Sequence, residues 1–308
     1  MTIADKSGAA LIVWIISDGK PGHLNQSLGL AEALARAAPT EVFTFRALPR
    51  YRAWLASLLK RLPGDDFPAP DLILGAGHAT HLSILAARRA FAGRSVVLMN
   101  PTLPRRWFDL CIIPQHDAVA ADERTLLTEG ALNRVRPSAR LEADRGLLLM
   151  GGVSPHFDWD NDALSLQIKS ILARTPDMHW TLTTSRRTPA DFLSYLPAAP
   201  NLEIIPHTDT APNWLPAQLA RCGTVWVTPD SASMVFEALT AGADVGVFDL
   251  PVRPKSRVGR AIAQLADAQR ITRFVTWCAH GTLHRNEHPL AEADRCAHWI
   301  IEWLNTKN

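Results

Sequence analysis

The sequence predicts an α/β protein built as two doubly wound parallel-sheet domains. Three observations predict it. Short apolar runs alternate with amphipathic segments along nearly the whole chain, which is the mark of parallel sheets covered on both faces. The same opening is written twice: an apolar run, a Gly-rich turn, then a segment of helical period. The 308 residues (33.8 kDa) are 47% hydrophobic and 20% charged, with mean hydropathy −0.01. That composition excludes disordered, collagen-like and coiled-coil chains. The length, at roughly 100–200 residues per domain, accommodates two.

The first half opens with LIVWIIS and the turn DGKPGHLNQS, then places Leu24, Leu28, Ala31, Leu34 and Ala35 at helical spacing. It continues with EVFTF, a helix through RAWLASLLKRL, DLILGAG, a helix from Thr80 to Phe91, SVVLMN and FDLCIIP. The second half opens with GLLLM and GGVSPHFDWDND, followed by Leu164, Ile168, Ile171 and Leu172 on one helical face. HWTLTTS, LEIIPH, GTVWVTP, a helix from Ser233 to Ala241, DVGVFDL and a helix from Val258 to Leu265 complete it. The boundary falls in the charged, aperiodic stretch from Asn133 to Gly146. The predicted domains are residues 1–138 and 139–288. Residues 289–308 form a last amphipathic helix through Leu290, Ala293, Ala297, Ile300, Ile301 and Leu304.

Lys plus Arg number 32 and Asp plus Glu 30, a net charge of +2. So balanced a chain has no global field for nucleic acid. Cys111, Cys222, Cys278 and Cys296 are far apart with no CxxC, which fits reduced thiols in a cytosol better than zinc or disulfides. The run Ala9 to Ile16 is short and ends at Asp18, so a buried strand explains it better than a signal peptide. No stretch approaches the ~18 apolar residues of a membrane span. A cytoplasmic protein is expected.

In open parallel sheets ligands gather at the carboxyl ends of strands, and two facing sheets make a cleft. The candidate residues therefore follow strands. Lys20, Gly22, His23, Asn25 and Gln26 crowd the first turn, where glycine permits close backbone approach and His23 brings a titratable ring. His78 follows the strand DLILGAG, and His116 stands beside Asp117 after FDLCIIP. In the second half, Gly152 and Ser154 lie in a loop expected to present backbone N–H groups at a helix start, suiting phosphate. Ser185 and Arg186, with Arg187 adjacent, follow HWTLTTS, where paired guanidiniums suit diphosphate oxygens. Asp230, Ser231 and Ser233 end a strand at a helix start with Glu237 one turn deeper, where a carboxylate could take both hydroxyls of a ribose. Tight turns and capping would use many of the same residues. Glu237 lies four positions after Ser233 rather than the three of a capping box. Asp158 and Asp160 match a DxD pattern, but acidic residues ahead of a helix are favoured by its dipole, so no metal site is expected. Neither half carries GxGxxG with an acidic residue ~20 positions on, which disfavours a dinucleotide-binding dehydrogenase. Residues 46–62 are basic and aromatic on a helix. They could lie against an anionic bilayer or simply be a solvated face.

SDGKPGHLNQSLGLAEAL, MNPTLPRRWFDLCIIPQHD, SRRTP and TPDSASMVFEALTAG together resemble the family named for elongated mitochondria in plants, whose bacterial members are described as glycosyltransferases. The resemblance runs from about Ser17 to Phe248. It implies a GT-B architecture: two Rossmann-like domains facing a cleft, acceptor on the first, nucleotide-sugar on the second, the last helix returning to the first domain. Carried onto this chain, it implies donor contacts from Gly152, Ser154, Ser185, Arg186, Asp230, Ser231 and Ser233, and ribose recognition by Glu237. His23 stands where GT-B enzymes often place a base or acceptor ligand. Lys20, Gly22, Asn25, Gln26, His78 and His116 are the acceptor-side candidates. Transfer would need no metal or cofactor beyond the nucleoside-diphosphate sugar co-substrate. The expected activity is sugar transfer to an acceptor such as an envelope or lipid-linked glycan. A nucleotide-sugar 2-epimerase and a non-catalytic scaffold at the inner face of a membrane are the alternatives.

Overall fold

The computed structural model describes residues 10–59, 66–211 and 213–306. Lys60, Arg61 and Leu62, part of the predicted basic and aromatic stretch, lie outside them. Two compact units are present, one up to Arg134 and again from Ala291, the other Val135–Leu290.

The first unit contains β1 (Leu11–Ser17), α1 (Pro21–Ala37), β2 (Thr40–Arg46), α2 (Arg50–Leu59), β3 (Leu72–Ala76), α3 (His81–Phe91), β4 (Arg94–Leu98), β5 (Leu110–Pro114) and β6 (Thr125–Thr128). They form one parallel sheet ordered β2-β1-β3-β4-β5-β6. LIVWIIS reads as continuously apolar because β1 is paired on both sides and covered on both faces, while edge strand β2 leaves Val42, Thr44 and Arg46 exposed. The C-terminal helix Glu292–Thr306 belongs to this unit. Its Ala297, Ile300 and Leu304 join Leu30, Ala31 and Leu34 of α1 and Val13, Ile15 and Leu74 of the sheet in one core. Each buried Ile or Leu contributes ~1.5–3 kcal/mol. Arg36 pairs with Asp294 across the two helices.

The second unit contains β7 (Glu142–Leu149), α4 (Asn161–Arg174), β8 (His179–Thr183), β9 (Leu202–Ile205), α5 (Trp214–Leu219), β10 (Cys222–Val227), α6 (Ala232–Ala241), β11 (Asp244–Val247), α7 (Arg257–Asp267), β12 (Thr272–Arg273) and α8 (Phe274–His280). Its sheet is also parallel, ordered β12-β11-β10-β7-β8-β9. The elements β6, α5, β12 and α8 were not expected; each is too short to show a period.

Each sheet has a switch point where the strand order reverses: between β1 and β3 in the first unit, between β7 and β10 in the second. Ligands of open α/β sheets bind in the crevice outside the strand carboxyl ends at such points. All four cysteines are free. No helix among the described residues is long and apolar enough to cross a membrane.

Candidate functional site

The first switch point brings together the ends of β1 and β3. Asp18 follows β1 directly, and Pro21 pre-sets the first turn of α1, which carries His23. The His23 Nδ1–H donates to Asp18 Oδ2 at 2.9 Å. A carboxylate only accepts, so the proton sits on Nδ1 and a neutral ring keeps its lone pair on Nε2. The Lys20 N–H donates to the other Asp18 oxygen at 3.1 Å. Burial alone would raise the Asp18 carboxyl. The hydrogen bonds from His23 and Lys20, with the charges of both residues, outweigh burial and hold it below its ordinary value. Opposite stands Gly77, at φ +86°. A Cβ there would come within 2.3 Å of His23 Nδ1, so only glycine lets the imidazole lie against the β3 end.

The other acceptor-side candidates are more dispersed. Lys20, Gly22, Asn25 and His78 are exposed. Gln26 Nε2 donates to Met99 Sδ at 3.6 Å, tying α1 to the end of β4. His116 lies past β5, two strands beyond β3, so it is not at the switch point. His81, which the sequence pattern did not single out, is buried edge-on against Phe108, and its pKa is pushed down to about 4 by burial and by nearby His78. It is a neutral core histidine.

At the second switch point the loops after β7, β8 and β10 are bonded into one cluster. The Gly151 N–H donates to Thr228 Oγ1 (2.7 Å), and the Gly152 N–H donates to Asp230 Oδ2 (2.9 Å). The Val153 N–H donates to the Arg187 carbonyl (3.1 Å). Ser185 Oγ donates to the Gly151 carbonyl (2.6 Å), as does Thr188 Oγ1. Arg187 pairs with Asp230 at 2.8 Å. Burial raises the Asp230 carboxyl, opposed by the Thr228 hydroxyl, the Arg187 charge and the Gly152 N–H.

These bonds correct the sequence expectation for the glycine loop. Its N–H groups do not head a helix: α4 begins only at Asn161, capped by Asp160, which accepts from the Ala163 N–H at 3.0 Å. Three consecutive donors are already spent inside the protein. Ser154 is buried, its Oγ accepting from the His156 N–H. Of the two arginines expected to face diphosphate together, Arg187 is held by Asp230, while exposed Arg186 has no partner among the described residues. Asp158 pairs with Arg253 at 2.7 Å, so both members of the DxD have structural partners.

Five features remain uncommitted among the described residues. The α6 helix begins at Ala232 rather than Ser233, so Ser231 is its N-cap, and its hydroxyl makes no capping bond. The first-turn N–H groups of α6 have no intrahelical acceptor, as at every helix start. Ser233 is exposed, and Arg186 is free. Glu237, half-buried further along α6, has no hydrogen-bond or ion-pair partner among the described residues. Burial pushes its carboxyl up to about 7. Among the described residues no group of three or more His, Cys, Asp or Glu side chains could hold a metal ion. The sequence reading missed Asp18, although its spacing of five from His23 across a strand–helix turn was the available signal. Thr228 and Thr188 stand within the candidate loops, but the sequence does not assign them their bracing roles.

Two parallel α/β units, each with polar loops gathered at its switch point, define the GT-B class of fold, and solved structures agree. A Listeria monocytogenes protein assigned as a UDP-N-acetylglucosamine 2-epimerase superposes with TM-score 0.64 at 12% identity, covering 97% of each chain. The UDP-GlcNAc 2-epimerase of Neisseria meningitidis, bound to UDP-GlcNAc, gives 0.54 at 11% identity over 96% of this chain and 100% of its own. The glycosyltransferase of kitacinnamycin gives 0.54 at 15% identity over 96% and 100%. The chain belongs to the mitochondrial fission ELM1 family, whose pattern matches residues 21–304. A relative in Rickettsia prowazekii (strain Madrid E), the uncharacterized protein RP120, is 23% identical over 94% of this chain and 97% of its own.

Proposed function

We propose that the protein is a glycosyltransferase that moves a sugar from a nucleoside diphosphate to an acceptor hydroxyl, the acceptor being an envelope or lipid-linked glycan. One observation carries the reading: Glu237 is a half-buried carboxylate without a partner among the described residues, on the helix whose free N-terminus lies at the second switch point. A cis-diol offers two hydroxyl donors to such a group and would restore the hydrogen bonds that burial removed. The diphosphate then falls to the free N–H groups of α6, the Ser231 and Ser233 hydroxyls and Arg186. The Gly151–Asp230–Arg187 cluster acts beneath them as a brace that fixes the loops.

On the first unit His23 Nε2 takes the acceptor proton while Asp18 holds Nδ1–H and stabilises the imidazolium that forms. The acceptor oxygen bonds to the sugar anomeric carbon as its bond to the diphosphate oxygen breaks. Arg186 and the α6 N-terminus take up the charge on the departing diphosphate, without a metal. Binding and turnover measured on two variants test the assignment. Glu237→Ala weakens nucleotide binding strongly, whereas His23→Ala spares binding and lowers turnover ~10²–10⁴-fold. Equal binding losses in both would overturn it. A nucleotide-sugar 2-epimerase, the activity named for two of the superposed structures, would consume donor with no acceptor present. A scaffold would consume none with any acceptor.

A further inference from the structure

Helix α2 is packed the wrong way round for a solvated helix. Ala53 is fully buried and Ala56 nearly so, whereas Tyr51, Trp54 and Leu55 are 67%, 63% and 48% exposed. Positions 51, 54 and 55 follow the i, i+3, i+4 rule and therefore share one face. The helix thus buries Ala53 and Ala56 and turns Tyr51, Trp54 and Leu55 outward, which a surface helix in water does not favour. Arg50 and Arg52 lie on the same helix and Arg46 ends the strand before it, all exposed and none with a carboxylate partner among the described residues. Arg52 lies 5.8 Å from the Tyr51 ring centroid. From Val42 to Leu62 the sequence contains no Asp or Glu.

We infer that α2 is a docking element that seats the first unit on an anionic lipid bilayer. Tyr51 and Trp54 are amphipathic rings suited to the headgroup boundary, Leu55 enters the acyl edge, and the arginines meet lipid phosphates. The charge complementarity selects an anionic membrane over a second copy of this chain, whose same face carries the same positive charge. The inference is independent of the nucleotide-sugar reading.

Flotation of the full chain with vesicles tests it. Vesicles of equimolar phosphatidylcholine and phosphatidylglycerol bind the wild type and release it in high salt, while phosphatidylcholine alone binds it weakly. Arg50→Gln with Arg52→Gln lowers partitioning roughly 30-fold, at about 1 kcal/mol per basic residue. All three test positions, Arg50, Arg52 and Trp54, are exposed, so the variants keep the wild-type melting transition. Vesicles with brominated acyl chains quench tryptophan fluorescence in the wild type, and Trp54→Phe removes that quenching. Equal binding by wild type and variants, or no binding to anionic vesicles, would overturn the inference. So would a concentration-dependent dimer that Trp54→Ala abolishes.

Discussion

Replacing Glu237 by Gln isolates a carboxyl that the second unit buries without a partner among the described residues. The carboxyl titrates near 4.5 in an unfolded chain and at about 7 in the fold, a difference of about 2.5 pH units. At 1.36 kcal/mol per unit this amounts to ~3 kcal/mol. The sign follows from linkage. Between pH 4.5 and about 7 the folded protein holds a proton that the unfolded chain has released, so stability falls as pH rises. Below 4.5 both states are protonated and the penalty vanishes; above about 7 it is fully present. Glu237→Gln keeps the shape and removes the titration. The variant should therefore match the wild type at pH 4.5 and exceed it increasingly towards pH 8. For a unit of this size ~3 kcal/mol corresponds to a melting difference of about 10 °C. Calorimetric melts of both proteins across that range read the gap directly. Parallel curves, or a gap that is widest in acid, would refute the burial argument.

Further outcomes follow from the same geometry. If the ionised Glu237 carboxylate receives the ribose diol, nucleoside diphosphate affinity should rise about tenfold from pH 6 to pH 8, because the ionised fraction rises from about a tenth to about nine-tenths. Titration calorimetry checks this, and a flat profile would separate ribose recognition from Glu237. Gly77→Ala should displace His23, since the new Cβ stands 2.3 Å from Nδ1 on a φ +86° backbone. The expected cost is ~1–3 kcal/mol of stability with turnover lost and nucleotide binding on the second unit retained. Asp18→Asn should leave binding intact and lower turnover by reversing the hydrogen bond that sets the His23 tautomer. Its pH–rate profile should shift, which simple loosening of the loop would not cause. Gly152→Ala should weaken nucleotide binding through the brace, because its Cβ would meet the Arg187 carbonyl at 2.0 Å.

The long elements were legible because their physics is local. LIVWIIS and GLLLM announce buried strands, and the spacing of Leu24, Leu28, Ala31 and Leu34 announces α1. The short β6 and β12 owe their existence to a neighbouring strand rather than to their own residues, and so left no pattern. The site was partly legible for the same reason: loops at strand ends can be found from strand ends. What the sequence could not show was which groups are already occupied. Arg186 and Arg187 are adjacent and chemically identical, yet a carboxylate 43 positions away claims only the second. The N–H groups of Gly151 and Gly152 looked available until Thr228 and Asp230, in the loop after a strand far along the chain, were folded against them. Asp18 lay within the first loop, but its bond to His23 depends on the turn taken by Gly19 to Pro21. Pairing across sequence distance is a property of the sheet order, and the sheet order is what a linear reading lacks.

In the proposed function, α6 and Glu237 form a nucleotide-sugar site. Calorimetric titration of the wild type and Glu237→Ala with a panel of nucleoside diphosphates and their sugars tests it most directly. One base should bind the wild type, and the variant should lose it while remaining folded. A folded wild type that binds no member of the panel would contradict that function.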